Sequence, residues 1–242
     1  NPFSRNNNVV RAILEDECGT VWVGTEGGGL SKFDPFTKKF TAYRHQPGNE
    51  RSISHDIVRG IVNDKKRGVL WVATAGGGLN RFDPKRGTFT AYRANSNKAY
   101  SISSDVVRPL LLNDDGTLWV GTEGGLNHFD PANERFTAYH SDPNNDRSLS
   151  FESVLTLYKD RSGTLWVGTL QGLNKFDPAS GTFTQFTHNM NDAHALQSGN
   201  IRSMIEDNKG RFWVGTWGGG LHLFDRTTGR CEGFREKDGL PN

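Results

Sequence analysis

Two cysteines, Cys18 and Cys231, are too few to staple a 242-residue chain, so the fold has to rest on a packed core. No apolar run approaches the ~20 residues that a membrane-spanning helix needs. Charge of one sign is also missing. The 29 Lys and Arg face 27 Asp and Glu, a net charge of +2 with no basic block, which speaks against a nucleic-acid or anionic-membrane partner. The seven histidines show no H-x-x-x-H or H-E-x-x-H spacing for a metal, and no G-x-S-x-G elbow is present for a nucleophile. Nor is there a cofactor motif, because the glycine clusters do not follow a strand and open a helix. The Asp-x-x-Gly turns lack the further acidic ligands of a calcium loop. The chain starts at Asn1 with neither Met nor signal peptide, and is expected to be a processed or excised piece.

What is present is a unit of roughly 47–49 residues, repeated five times. The first reads Thr20-Val-Trp22-Val-Gly-Thr25, a glycine cluster, Leu30, Phe33-Asp34-Pro35 and Phe40-Thr-Ala-Tyr43. The same words return around Trp71, Trp119, Trp166 and Trp213, and around Phe82-Asp83, Phe129-Asp130, Phe176-Asp177 and Phe224-Asp225. A period of about 40–50 residues with four short β-like segments is the signature of a propeller blade. The expected fold is all-β: a propeller of five four-stranded antiparallel blades, as a closed five-blade ring or as an arc of a larger one. The single domain covers 1–242, with repeats at about 7–54, 55–103, 104–150, 151–198 and 199–242. Low hydrophobic content (34%) beside 29 glycines fits many short strands joined by tight turns.

Each unit divides into four segments. Segment A is Val10–Glu15, matched by 58–63, 107–112, 154–159 and 201–206; B is the Trp-Val-Gly-Thr run, C is Leu-x-x-Phe-Asp and D is Phe-x-x-Tyr/Phe. Asp16-x-x-Gly19 and its counterparts mark the A–B turn, the glycine clusters the B–C turn, and Asp-Pro the C–D turn. Cys231 stands where other units carry Phe40, Phe89, Phe136 and Phe183, which reads as a small core substitute; a bridge to Cys18 requires the first and last units to be neighbours. Up-and-down strand order places the B–C turns and the long polar D–A connectors on one face, the usual location for binding.

One position of segment A holds arginine four times: Arg11, Arg59, Arg108 and Arg202, with Leu155 as the exception. Guanidinium groups gathered at the start of innermost strands would take a carboxylate, sulfate or uronic acid by bidentate bonding. The structural alternative is that each arginine ties its connector through an acid such as Asp56 or Asp105. Trp217 is the one tryptophan outside the B position; it occupies a B–C turn where other units carry Glu26, Ala75, Glu123 and Leu170. It can stack on a sugar ring or pack between blades. His55, at a connector end, is the histidine nearest the expected channel mouth.

The stretch Asp160-Arg-Ser-Gly-Thr-Leu-Trp-Val-Gly-Thr-Leu-Gln-Gly-Leu-Asn-Lys-Phe-Asp177 resembles the two-component regulator propeller repeat. So does the lead-in Asp142-Pro-Asn-Asn-Asp-Arg-Ser-Leu-Ser150, echoed by Pro47–Ser54. The likeness covers residues 7–242. It implies the periplasmic sensor region of a bacterial histidine kinase, hybrid two-component or diguanylate cyclase receptor, a family that commonly senses oligosaccharides. On that resemblance the ligand is an oligosaccharide or small anion, and downstream receptor domains or a second copy receive the signal. Asp238–Asn242 looks like the lead-in to a sixth repeat. The expected activity is non-enzymatic binding by Arg11, Arg59, Arg108, Arg202, Trp217 and His55, without cofactor, metal, nucleic acid or membrane span. Two rivals stand beside it: an enzyme resembling streptogramin lyases, which needs a compact His/Glu/metal set, and a purely structural interaction scaffold.

Overall fold

The computed structural model describes residues 9–189 and 191–241. Asn7 and Asn8 of the first repeat and Asn242 of the terminal lead-in lie outside the described residues. Among the described residues twenty strands form five four-stranded antiparallel sheets, each in chain order. Blade 1 is β1 (Val10–Glu15), β2 (Val21–Thr25), β3 (Leu30–Asp34) and β4 (Lys39–Tyr43). Blade 2 is β5 (Val58–Asp64), β6 (Val69–Thr74), β7 (Gly78–Asp83) and β8 (Thr88–Tyr92). Blade 3 is β9 (Val107–Leu112), β10 (Leu118–Thr122), β11 (Gly125–Asp130) and β12 (Arg135–Tyr139). Blade 4 is β13 (Val154–Lys159), β14 (Leu165–Thr169), β15 (Gly172–Asp177) and β16 (Thr182–Thr187). Blade 5 is β17 (Ile201–Glu206), β18 (Phe212–Thr216), β19 (Gly220–Phe224) and β20 (Cys231–Phe234). Two compact units result: Asn1–Glu123 with Asn127–Ala138, and Gly124–Leu126 with Tyr139–Asn242.

Within each unit one packing rule recurs. The tryptophan-bearing face of a blade presses on the phenylalanine-bearing face of the next. In the first unit Trp22, Leu14 and Tyr43 meet Ile61, Phe82 and Phe89, and Trp71 and Tyr92 meet Leu110, Phe129 and Phe136. In the second, Trp166 and Phe186 meet Met204, Phe212 and Phe224. Trp22 stands edge-on to Phe82 at 5.5 Å, and Trp71 to Phe129 at 5.4 Å. Burying each such side chain contributes on the order of 1.5–3 kcal/mol. The glycine of Trp-Val-Gly-Thr follows from this contact, since a Cβ on Gly24 would lie 2.5 Å from Val58 Cγ1 of the next blade. Cys231 is buried among these residues as a free thiol, as its place in the repeat predicts; Cys18 is free and exposed.

The Ser-x-Ser connector is a staple whose residues each have a task. Ile53, Ile102 and Leu149, all at most 1% exposed, plug the core. The preceding serine caps the connector's own turn: Ser52 Oγ accepts from Gln46 N–H, and Ser148 Oγ from Asp142 N–H. The following serine donates its backbone N–H to a buried asparagine of segment C: Ser54 to Asn80 Oδ1 (3.1 Å), Ser103 to Asn127 (3.0 Å) and Ser150 to Asn174 (2.8 Å). The asparagine Nδ2 returns a bond to the serine Oγ. Such a buried set holds its shape because every polar atom in it is partnered.

Blade 5 performs the same task with other residues. Gln197 N–H donates to His222 Nε2 at 3.2 Å, and His222 is fully buried. Burial drives the imidazole pKa below its ordinary value; the Val214 backbone opposes this and nearby Arg235 assists it. A histidine whose pKa falls on folding contributes stability above about pH 6.5 and loses that contribution as pH drops through its lowered value. His128, whose pKa burial also lowers against the pull of Asp115 and Asp130, acts in the same window. His222→Asn restores the asparagine of the other blades. It should fold and lose markedly less stability than the parent between about pH 7 and about pH 5, as read from urea midpoints. An unchanged pH slope would assign the effect elsewhere.

The turn aspartates do more than form turns. Trp22 Nε1 donates to Asp16 Oδ2 (2.9 Å), Trp71 to Asp64 (3.2 Å), Trp166 to Asp160 (2.9 Å) and Trp213 to Asp207 (3.0 Å). In these four blades the A–B turn therefore anchors the blade's own indole. In blade 3 the turn residue is Asn113, which bonds Thr117 Oγ1, and the Trp119 ring meets that of His128 at 4.6 Å in a tilted contact.

Candidate functional site

The repeated arginine is a bulge residue. Pairing of the innermost strand with its neighbour slips between Val10 and Ala12, Val58 and Gly60, Val154 and Thr156, and Ile201 and Ser203. In blade 3 the slip lies between Val120 and Thr122, opposite Val107 and Leu110. Arg11, Arg59, Arg108, Leu155 and Arg202 are thus released from the ladder, and a bulge re-aims its side chain. Beside the bulges the B–C turns are joined to the connector ends: Gly27 and Gly29 N–H donate to Asp56 O, Gly76 and Gly78 to Asp105 O, and Gly125 to Glu152 O.

In the first unit the arginines meet glutamates of the B–C turns, not the connector acids. Arg11 and Arg59 both pair with Glu26, the latter through Nη2 at 2.9 Å, and Arg108 pairs with Glu123. The carboxylates of Asp56 and Asp105 are occupied by the backbone N–H groups of His45 and Ala94, each at 2.7 Å. Burial pulls the Arg59 pKa below its ordinary value; Glu26 counters this, while Arg11 and Arg108 reinforce it and Glu123 opposes. Three cations therefore share two carboxylates within mutual electrostatic reach. Arg59 Nε and Arg108 Nε are buried donors without a protein acceptor.

In the second unit the corresponding pairs are Leu155 with Leu170 and Arg202 with Trp217. Arg202 lies over the Trp217 ring with Cζ 5.3 Å from its centroid, and Trp217 is 70% exposed. Its backbone is fixed, because Trp217 N–H donates to Asn200 O at 2.8 Å.

His55 caps a turn. Its Nδ1 accepts from Ile57 N–H at 3.1 Å, the bond that Ser104 Oγ and Ser198 Oγ make to Val106 and Asn200 in later connectors. Other histidines are engaged separately: His45 and His188 on connector carbonyls, His140 on Glu152 and His222 on Gln197. Among the described residues no three His, Cys, Asp or Glu side chains group as a metal set. The connectors also reach beyond the loop face, where Arg51 O and Arg147 O accept from Phe89 and Phe183 N–H on outer strands. Clefts of about 590 Å³ (Gln46–Ser52 against Phe89 and Arg93) and about 770 Å³ (Ser141–Asp146 against Gln171 and Gln185) lie under them. The buried asparagines and indole-binding aspartates escaped the sequence reading, although Gly-Leu-Asn and Asp-x-x-Gly recur and signalled them.

Residues 4–27, 148–171 and 195–218 match the family profile described as the two-component regulator propeller. Three stretches of the chain therefore match the repeat of that family. Among curated proteins none matches the chain. Solved structures do. The extracellular domain of a hybrid two-component system from B. thetaiotaomicron is 28% identical over 93% of this chain, with a TM-score of 0.77. That of a second such system from the same organism is 22% identical over 96%, with a TM-score of 0.73. This chain spans about 30% of the length of each. Virginiamycin B lyase from Staphylococcus aureus is 14% identical over 96% of this chain and 71% of its own, with a TM-score of 0.67, a likeness of fold alone. Among the described residues no helix is long and apolar enough to cross a membrane.

Proposed function

We propose that this chain is a non-enzymatic, ligand-binding part of an extracytoplasmic sensor, which takes an anionic small molecule or oligosaccharide on the face of its bulge arginines. The observation that carries this reading is the first unit's charge arrangement. Among the described residues Arg11, Arg59 and Arg108 pair with Glu26 and Glu123, and Arg59 and Arg108 each keep a buried Nε–H without a protein acceptor. A carboxylate or sulfate would satisfy both donors and the residual charge, as guanidinium forks do for oxyanions. The extracellular placement of the similar two-component domains supports a periplasmic or extracellular setting. Receptor domains beyond the repeats, or a second copy, would carry the signal onward.

A thermal-shift titration with carboxylated, sulfated and neutral oligosaccharides tests this reading. Acidic ligands should raise the melting temperature saturably, and Arg59→Ala or Arg108→Ala should weaken them about tenfold or more, the loss of one charge-assisted bond. No shift with any acidic ligand would overturn the reading, and turnover of a ligand would favour an enzyme.

A further inference from the structure

Arg202 differs from the other bulge arginines in what surrounds it. In the first unit Arg59 of blade 2 reaches back to Glu26 of blade 1. The residue of blade 4 at the repeat position of Glu26 is Leu170, which is apolar and 37% exposed. Glu26 and Glu123 stand beside Arg11 and Arg108 in their own blades, whereas Trp217 stands beside Arg202. Among the described residues no carboxylate pairs with Arg202, so its charge is unneutralised next to a flat aromatic surface. That surface is open: a Cβ placed on the adjacent Gly218 would meet nothing within 4 Å. Its backbone is anchored, because the Trp217 N–H donates to Asn200 O. An exposed ring on an anchored turn, with an unpaired guanidinium over it, suits a ligand that combines a flat apolar face with one anionic group.

We infer that Trp217 and Arg202 form a subsite for a ring bearing a carboxylate or sulfate, the ring lying on the indole and the acid on the guanidinium. This deepens the sensor reading above and rests on it. It assigns the acid-reading role in the second unit to an unpaired arginine, and the ring-reading role to the residue that replaces the glutamate.

Trp22, Trp71, Trp119 and Trp166 are buried and Trp213 is half-buried, whereas Trp217 is 70% exposed, so the emission most open to a quencher is that of Trp217. The probes are glucuronate, glucose, benzoate and acetate, titrated by tryptophan fluorescence. Glucuronate or benzoate should change the exposed emission saturably, with glucose and acetate at least about tenfold weaker. A stronger response to glucuronate assigns a sugar acid, and a stronger response to benzoate an aromatic one. Trp217→Ala should abolish the response, and Arg202→Ala should weaken the acids about tenfold while leaving glucose unchanged. Because Trp217 is exposed, its variant should fold, which circular dichroism checks. Equal binding of glucose and glucuronate, or no saturable change with any probe, overturns the subsite. If acids stabilise the chain, and Arg59→Ala weakens them but Trp217→Ala and Arg202→Ala do not, the subsite fails and the sensor reading stands. If no acid shifts the melting temperature at all, the sensor reading fails as well.

Discussion

Asp160→Ala is expected to lower the unfolding free energy by about 3–5 kcal/mol, the range for removing one partner of a buried ion pair. Asp160 is 6% exposed, and its carboxylate accepts from five donors. Its Oδ2 accepts from Trp166 Nε1 and from Arg226 Nη1, and its Oδ1 from the Ser162 and Thr164 N–H groups and from Ser162 Oγ. Arg226 also bonds Glu206 and Gly210 O, so the loss leaves a partly buried cation of blade 5 with a broken network. Burial alone would raise the Asp160 pKa; the bonds from Ser162, Trp166, Thr164 and Arg226 outweigh it and hold the carboxyl below its usual range. A depressed carboxyl pKa contributes stability above about pH 4 and loses it as pH falls through the folded value. The gap between parent and variant in urea unfolding should therefore narrow on acidification. Asp16→Ala, at a half-buried site with the same indole but no arginine, should cost less. Equal losses would mean that the arginine contributes nothing.

The second large effect is a contrast between identical residues at one repeat position. Phe89 is 5% exposed, stacks on Phe82 at 4.4 Å and faces Tyr43 of the preceding blade. Phe40, its counterpart in blade 1, is 63% exposed and touches Phe33 at 4.7 Å. Phe89→Ala should cost about 3–5 kcal/mol by cavity formation. Phe40→Ala should cost about 1 kcal/mol, the value of an aromatic pair at the surface. Ile13, at 70% exposure, lies on the same uncovered face, whereas Ile61 is buried. If Phe40→Ala proved as costly as Phe89→Ala in denaturant unfolding, that face of blade 1 would be covered in solution.

The strands were legible because they repeat. Segment A coincides with β1, β9, β13 and β17, and β5 runs one residue longer. Periodicity marks a core position well when the same large apolar residue returns five times. Buried polar residues were harder to read. Asn80, Asn127 and Asn174 sit at 0% exposure, yet an asparagine in a strand reads as a solvent-facing residue unless its partner serine, about 25 residues earlier, is recognised. His222 hides the pattern further by replacing the asparagine. The arginine position was visible, but its partners were not. Only the bulge, a backbone feature without a sequence mark, turns Arg11 and Arg108 toward Glu26 and Glu123 and away from the connector aspartates.

On the proposed reading, that bulge is where the fold would present the ligand site. The repeat supplies five equivalent positions, and the residues placed there differ: paired cations in the first unit, leucines in blade 4, an unpaired arginine with a tryptophan in blade 5. The central claim is that Arg59 and Arg108 hold an anionic ligand through donors that the protein itself leaves unsatisfied. Nitrogen-edited NMR of the arginine Nε–H groups tests this most directly, with signals assigned from Arg59→Lys and Arg108→Lys during the same oligosaccharide titration. The account predicts that both signals move saturably with acidic ligands and hardly at all with neutral ones. Signals that stay fixed while an acidic ligand saturates the chain would contradict it.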